Sequence, residues 1–196
     1  MPTLSDVRDL VRADLGDPGG GRWSDADLER HIEHALDELS VAWPREASAA
    51  LETTAGSRTL SLSSLAGLVE VEAVEYPADA YPPAFVGFQR WESLLTLHVD
   101  TEPTGDDATV RYTARHTLDG SGTTLTTFQV EVLVTGASAF AALAESSEVA
   151  DALTNVGAAS ERFAGYARAR LTAFRQLLHQ YGRRNRVRGR RLYVPA

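Results

Sequence analysis

Cysteine is absent from this 196-residue chain. Disulfides, thiolate nucleophiles and cysteine metal ligands are excluded with it, so stability has to come from packing or assembly. Lysine is absent too. All nineteen basic residues are arginine, even at polar positions where lysine would serve, a bias that points partly to genomic coding. The first ten residues, MPTLSDVRDL, hold acids where a secretory leader needs a basic start and an apolar run. The longest uncharged apolar stretch, between Glu131 and Glu145, is thirteen residues, short of the roughly 20 a bilayer span needs. These absences predict a soluble protein, intracellular when made, with no membrane partner. Finally, no Asp or Glu follows Glu161.

That last absence exposes a division of charge. Residues 162–196 carry ten arginines and no acid, a net of +10; residues 1–161 carry nine arginines against 27 acids, a net of −18. The overall −8 conceals two chemically distinct parts. Such asymmetry marks an attachment arm, whose partner is nucleic acid or an acidic protein surface. The remaining composition, 43% hydrophobic and 23% charged, is ordinary for one globular domain with a sub-domain and a proper core.

Leu4, Val7, Leu10 and Val11 recur at helical spacing, which predicts a first helix over 3–15. The run Gly16-Asp17-Pro18-Gly19-Gly20-Gly21 stops it and reads as a hinge; it lacks the lysine and the preceding strand of a phosphate loop. Ser24 caps a second helix, with Asp25, Asp27 and Glu29 at its positive end and Leu28, Ile32, Ala35, Leu36, Leu39 and Trp43 in one stripe, ended by Pro44. His31 and His34 lie on neighbouring faces of that helix with no second ligand pair elsewhere, so they are expected to be solvated or capping residues.

From Ser48 to Leu118 the period falls to two. The stretches 50–54 and 59–62 read as a hairpin around Gly56, and 68–76 alternates apolar and acidic residues like a strand with one wet face. A proline loop over 77–83 precedes further strands at 91–99 and 109–116. The expectation is a small antiparallel sheet of four to six strands, its acids on a solvated face.

Helical character returns after the loop 119–122. Phe128 to Glu145 is apolar almost all round, a central buried helix. Its Val134-Thr135-Gly136-Ala137-Ser138 lacks the further glycines a nucleotide loop needs and reads as small residues at a tight helix crossing. After a break near Ser146-Ser147 or Asn155–Gly157, the last helix sets Phe163, Ala167, Leu171, Phe174 and Leu178 in a stripe and Gly182 at its end. Arg162, Arg168 and Arg175 point away from the stripe. Arg170 falls within about 50° of its centre, so it is either paired inside the bundle or turned to a neighbouring subunit. The four are candidates for a subunit interface. The tail combines Arg183, Arg184, Arg186, Arg188, Arg190 and Arg191 with an apolar tip, Leu192-Tyr193-Val194, the composition of a docking peptide. No convergent nucleophile, base or ligand set emerges, so no catalytic residue, metal or cofactor is assigned and no enzyme activity is expected.

The predicted fold class is α+β but mainly helical. It is a bundle of two N-terminal helices, one central apolar helix and one long C-terminal helix (1–47 and 119–182), with an inserted antiparallel β-region (48–118) and an extended basic tail (183–196).

The order helix, glycine break, then WSDADLERHIEHALDELSVAWP resembles the opening of head–tail adaptor (connector) proteins of tailed bacteriophages. There the second helix commonly opens with an aromatic, Ser or Thr and an acid, as Trp23, Ser24 and Asp25 do. The stretch Val110-Arg111-Tyr112-Thr113-Ala114 before an apolar helix is similar to a strand of that family, and the long last helix with a protruding tail fits as well. The resemblance implies a structural virion protein at the head–tail interface, made in the host cytoplasm, in phage, prophage or gene transfer agent alike. It implies a homo-oligomeric ring, dodecameric in that family, whose tails dock on the portal and whose far side receives a neck, stopper or tail protein. DNA passes through the ring without sequence-specific binding. The residues allow the same use, since a −18 body suits a channel wall that DNA must not stick to. The alternative is a DNA-binding or packaging-associated protein holding phosphates with the arginine tail.

Overall fold

A computed structural model of the chain describes residues 1–151 and 157–182. It divides into two units, Met1–Trp43 with His116 onward, and Pro44–Arg115.

The first unit is helical. Helix α1 (Leu4–Leu15) opens on a capping box, in which Thr3 N–H donates to Asp6 (2.8 Å) while the Thr3 hydroxyl accepts from Asp6 N–H (3.3 Å). It ends at Gly16, which turns left-handed (φ 69°). Helix α2 (Asp25–Ala42) starts where the Ser24 hydroxyl accepts from Asp27 N–H at 3.2 Å. Helix α3 (Thr127–Asp151) lies at the centre, against α1, α2 and α4 (Gly157–Tyr181). Val7, Leu28, Ile32, Leu39, Leu133 and Phe174 form the heart of the core, all at most 1% exposed.

Because α3 is packed on several sides, it is apolar around its girth. The stretch Thr127–Ser147 is long and apolar enough to cross a membrane by length and composition, longer than the thirteen uncharged residues suggest. In this fold it is the central helix of a core. Small residues let α4 come close. A Cβ built on Gly136 would lie 2.8 Å from the Phe174 ring, so the VTGAS stretch serves a helix crossing.

His31 is buried on the core side of α2, contrary to the solvated position expected for it, and His34 stacks on Phe140 with ring centroids 4.2 Å apart. Burial first, and the nearby Arg30 second, hold the His31 ring below its ordinary pKa of 6.5. The fold therefore favours the neutral ring. As the pH falls below about 6.5 the unfolded chain takes up the proton more readily, and this contribution to stability is lost as the pH falls through the folded-state value. His31→Gln should flatten the decline in urea midpoint on acidification from pH 7 to 5; equal slopes for the two proteins would show that His31 does not carry it.

The glycine run after α1 is no hinge. Asp17 accepts backbone N–H bonds from Gly21 (3.0 Å), Arg22 (3.1 Å) and Trp23 (3.2 Å). Arg12, buried although charged, donates to the Trp23 carbonyl (3.0 Å) and to Asp25 (2.6 Å) and reaches Asp17 at 3.5 Å. Gly20 is left-handed (φ 66°), and its missing Cβ would sit 2.9 Å from Arg12 Nη1. The left-handed backbone favours glycine there, so composition alone mistook a hydrogen-bonded knot for a flexible joint.

The second unit is a six-stranded antiparallel sheet, curled into a half-barrel. Its strands are β1 (Arg45–Glu52), β2 (Thr59–Ser61), β3 (Leu68–Glu75), β4 (Phe85–Trp91), β5 (Leu94–His98) and β6 (Asp107–Ala114), in the order β1-β6-β3-β4-β5-β2. Register shifts at Leu68/Glu70 and Val71/Ala73 bend β3 and help the sheet curl. Leu60, Val71, Val74, Leu95, Val110 and Tyr112 fill the concave side. On the other side Trp91, 74% exposed, stands opposite Leu94 at the β4–β5 turn.

The expectation of a mainly helical bundle is therefore corrected: the sheet is an architectural unit of its own, with a separate core. Its extent is 44–115 rather than 48–118. The expected hairpin of 50–54 with 59–62 does not form, because β1 pairs with β6 and β2 with β5 on opposite edges of the sheet. Strand β4 begins just after the proline loop 77–83, where the sequence pattern assigns no strand, and 91–99 splits at Glu92-Ser93 into a turn and β5. The loop at 119–122 is flanked by a minute hairpin, β7 (Leu118–Asp119) and β8 (Gly122–Thr123). Helix α3 runs on to Asp151 past the expected break at Ser146-Ser147; the other expected break lies partly outside the described residues.

Where the chain leaves the helical unit at Trp43 and re-enters it at His116, the unit closes on itself. His116 N–H donates to the Ser40 hydroxyl (3.1 Å), Nε2 lies 3.0 Å from the Trp43 carbonyl, and Nδ1 lies 3.1 Å from the Thr124 hydroxyl. At the same end, α4 closes against the end of α2 at Gly182, where a Cβ would meet the Ala42 carbonyl oxygen at 2.8 Å.

Candidate subunit-docking face

Helix α4 carries the four arginines proposed as interface residues, but on two different flanks. With Ala167, Phe174 and Leu178 buried, 100° per residue puts Arg168 and Arg175 on one side of that stripe and Arg162 and Arg170 on the other.

The second flank faces α1. The left-handed turn at Gly16 leaves Asp14 at the helix end, and α4 meets it with Tyr166 and Arg170, one turn apart. Arg170 forms an ion pair with Asp14, and its Nε donates to the Tyr166 hydroxyl (3.2 Å). That hydroxyl lies 3.1 Å from both the Asp14 carbonyl and its carboxylate and donates toward them. Partial burial raises the Tyr166 pKa and lowers that of Arg170, which remains a cation at neutral pH. Of the two alternatives for Arg170, the structure shows the internal pair. It is a strut between α1 and α4.

Grooves lie on both sides of this strut. One, of about 380 Å3, has Leu15, Phe163 and Tyr166 as its apolar floor and Arg22 and Arg162 at its rim. The Arg22 guanidinium sits 4.8 Å from the centroid of the Phe163 ring and 3.6 Å from Glu145. The other runs along Leu10, Val134 and Thr135, with Leu10 49% exposed. On the opposite flank, Arg168, Leu171, Thr172 and Arg175 line a third, open groove of about 500 Å3.

None of these grooves brings together a nucleophile and a base, and among the described residues no group of three or more His, Asp or Glu could hold a metal. Arginines over apolar and aromatic floors suit the carboxylates and apolar side chains of another protein. Arg162, Arg168 and Arg175 have no ion-pair partner among the described residues. The docking tail, Arg183, Arg184, Arg186, Arg188, Arg190, Arg191, Leu192, Tyr193 and Val194, lies outside the described residues.

Sequence reasoning missed Asp14, Arg22, Phe163 and Tyr166 as parts of this face. The spacing of Tyr166 and Arg170, one turn apart at the edge of an apolar stripe, was the available signal. Asp14 had none, because its partner lies 156 positions along the chain. No protein-family model matches the chain, and a comparison with curated proteins finds no significant match.

Proposed function

We propose that the protein is a structural subunit of a tailed-phage head–tail adaptor. It assembles as a ring, dodecameric in that class, which attaches to the portal, prolongs the DNA channel and offers its far side to a neck, stopper or tail protein. The observation that carries the proposal is the division of charge, −18 over residues 1–161 against +10 over 162–196. An acidic body lets DNA pass without sticking, and a basic arm with an apolar tip anchors on an acidic partner. Many weak anchors held in one ring gain by avidity. The resemblance of the N-terminal helices to that class, and arginines on both flanks of α4 that form no ion pair among the described residues (Arg162 on one, Arg168 and Arg175 on the other), support the same role. The site of action is then the virion's head–tail interface, with no enzymatic chemistry and no cofactor.

Removal of 183–196 is expected to leave the circular dichroism spectrum unchanged and to abolish co-sedimentation with the portal ring. Attachment by the truncated protein at full strength would refute the docking role. The second reading, a DNA-binding or packaging protein, rests on the ten arginines after Glu161. It requires retention of duplex DNA at low salt that weakens steeply as salt rises. A gel shift showing no retention at low salt removes it.

A further inference from the structure

We propose that the tip of the β4–β5 hairpin, Trp91-Glu92, docks in the groove floored by Leu15, Phe163 and Tyr166 in a second copy of this chain. The inference rests on the ring reading above and adds which surfaces of neighbouring copies meet.

The tip is a fixed knob. A two-residue turn, Glu92-Ser93, joins strands whose last pair is Trp91 and Leu94. Trp91 is 74% exposed and Leu94 48%, so a large indole stands in water instead of in a core. Arg90 holds the turn: its Nε donates to the Glu92 carbonyl (3.1 Å) and its Nη1 to the Val69 carbonyl of β3 (2.9 Å). Glu92 itself sits in the left-handed region (φ 52°), which glycine would occupy with less strain. The turn thus keeps a carboxylate, beside an exposed indole, where a more permissive residue would suit the backbone better.

The groove is the matching hole. Its volume, about 380 Å3, admits one large side chain but not a helix. Leu15, Phe163 and Tyr166, all half-buried, offer an apolar and aromatic floor for an indole. Arg162 is exposed at the rim, and neither it nor Glu92 forms an ion pair among the described residues. An indole on Phe163 and a carboxylate on Arg162 therefore satisfy both surfaces together. Asp14 also lines the groove, but Arg170 is paired with it.

The other two grooves fit the tip less well. The one along Leu10 and Val134 includes Glu131, which repels Glu92, and its arginine is the committed Arg170. The one beside Arg168 and Arg175 has Leu171 but no Phe, Tyr or Trp in its lining.

Knob and hole are different surfaces of one chain, so each copy offers one of each. Two copies can exchange knobs about a two-fold axis, or each copy can engage the next in a cycle; the ring reading requires the cycle. One indole and one ion pair cover far less than the roughly 1,200 Å2 of a stable free interface. Isolated contacts are therefore weak, and a closed ring on the portal gains by avidity.

The absence of cysteine makes the test clean, because any disulfide is an introduced one. In the full chain, Ser93→Cys/Gly165→Cys puts one thiol beside the knob and one a turn away from Arg162. Ser93 is exposed, and nothing lies within 4 Å of a Cβ at Gly165. Oxidation at high concentration, alone and with the portal ring, is expected to give a ladder of covalent oligomers that collapses to monomer on reduction. Each single-cysteine chain is expected to stay monomeric. In the double-cysteine background Trp91→Ser should lower the cross-linked fraction by about tenfold or more. Arg162→Glu should lower it too, and Glu92→Arg/Arg162→Glu should restore it. If the double-cysteine chain does not fold by circular dichroism, sedimentation velocity of the cysteine-free chain with Trp91→Ser, Arg162→Glu and the charge exchange reads the same contact. A folded double-cysteine protein that forms no disulfide between copies, or only one within a chain, overturns the inference. So does a ladder indifferent to both Trp91→Ser and Arg162→Glu. Rings seen by negative stain in either case leave the ring reading intact. Products that stop at the dimer even with the portal overturn the ring reading and leave the contact standing.

Discussion

Phe174→Ala should lower the free energy of unfolding by about 3–5 kcal/mol, the largest effect expected of any single change in this chain. The ring is completely buried, meets Phe140 edge-on at 6.2 Å, and fills the space that Gly136 leaves open on α3. Its removal opens a cavity at the crossing of α3 and α4, where the helices are already too close to collapse further. The converse change, Gly136→Ala, places a methyl 2.8 Å from the same ring and should cost about 1–3 kcal/mol through overpacking. The two sites touch, so they should not be additive. Gly136→Ala/Phe174→Leu should be more stable than the sum of its single changes allows. Urea unfolding followed by circular dichroism measures all five proteins: wild type, Phe174→Ala, Phe174→Leu, Gly136→Ala and the double variant. Additive losses, or a cost below about 1 kcal/mol for Phe174→Ala, would mean that α4 is not locked on α3 through this contact.

Arg12→Met should cost about 2–4 kcal/mol, because removing one partner of a largely buried ion pair strands the other. The Arg12 and Asp17 side chains are 10% and 15% exposed, and Arg12 also holds the Trp23 carbonyl. Arg8→Ala is the comparison. Its partners Asp25 and Glu29 are 58% and 42% exposed, and a pair of that kind contributes roughly 1 kcal/mol at most. The Arg12 change also has a pH signature. Partial burial pushes the Asp17 carboxyl up, but the backbone N–H groups of Arg22, Trp23 and Gly21, and then the Arg12 guanidinium, outweigh it and hold the group below its ordinary 3.8. The stability that follows is present above that value and is lost as the pH falls through the folded-state pKa. Without Arg12 the acid loss should begin at higher pH. Identical acid-unfolding midpoints for wild type and Arg12→Met would show that the guanidinium does not act on Asp17.

The helices were legible in the sequence because each carries its own instructions. Thr3 and Ser24 cap α1 and α2, Pro44 stops α2, and the stripe from Phe163 to Leu178 sets the buried side of α4. The sheet was legible only as a region. Its alternation marks strands, but nothing in 50–62 tells β1 to pair with β6 and β2 with β5 at opposite edges. Strand β4 was hidden because it follows a proline loop and carries exposed Phe85, Gln89 and Trp91 on its outer side. The glycine run shows the opposite error. Four glycines among six residues suggest freedom, yet Asp17 and Arg12 bind the backbone that those glycines allow to come close.

The sequence by itself determined the division of charge, the helix ends and which face of each helix turns inward, because these depend on residues within a few turns of one another. Only the tertiary structure decided that the sheet forms a unit with its own core, that Arg170 is taken by Asp14, and which elements border the grooves on either flank of α4. Each of those outcomes is a choice of partner made across tens to more than a hundred residues. Such choices are settled by which surfaces and charges can be buried together, and no local pattern encodes them.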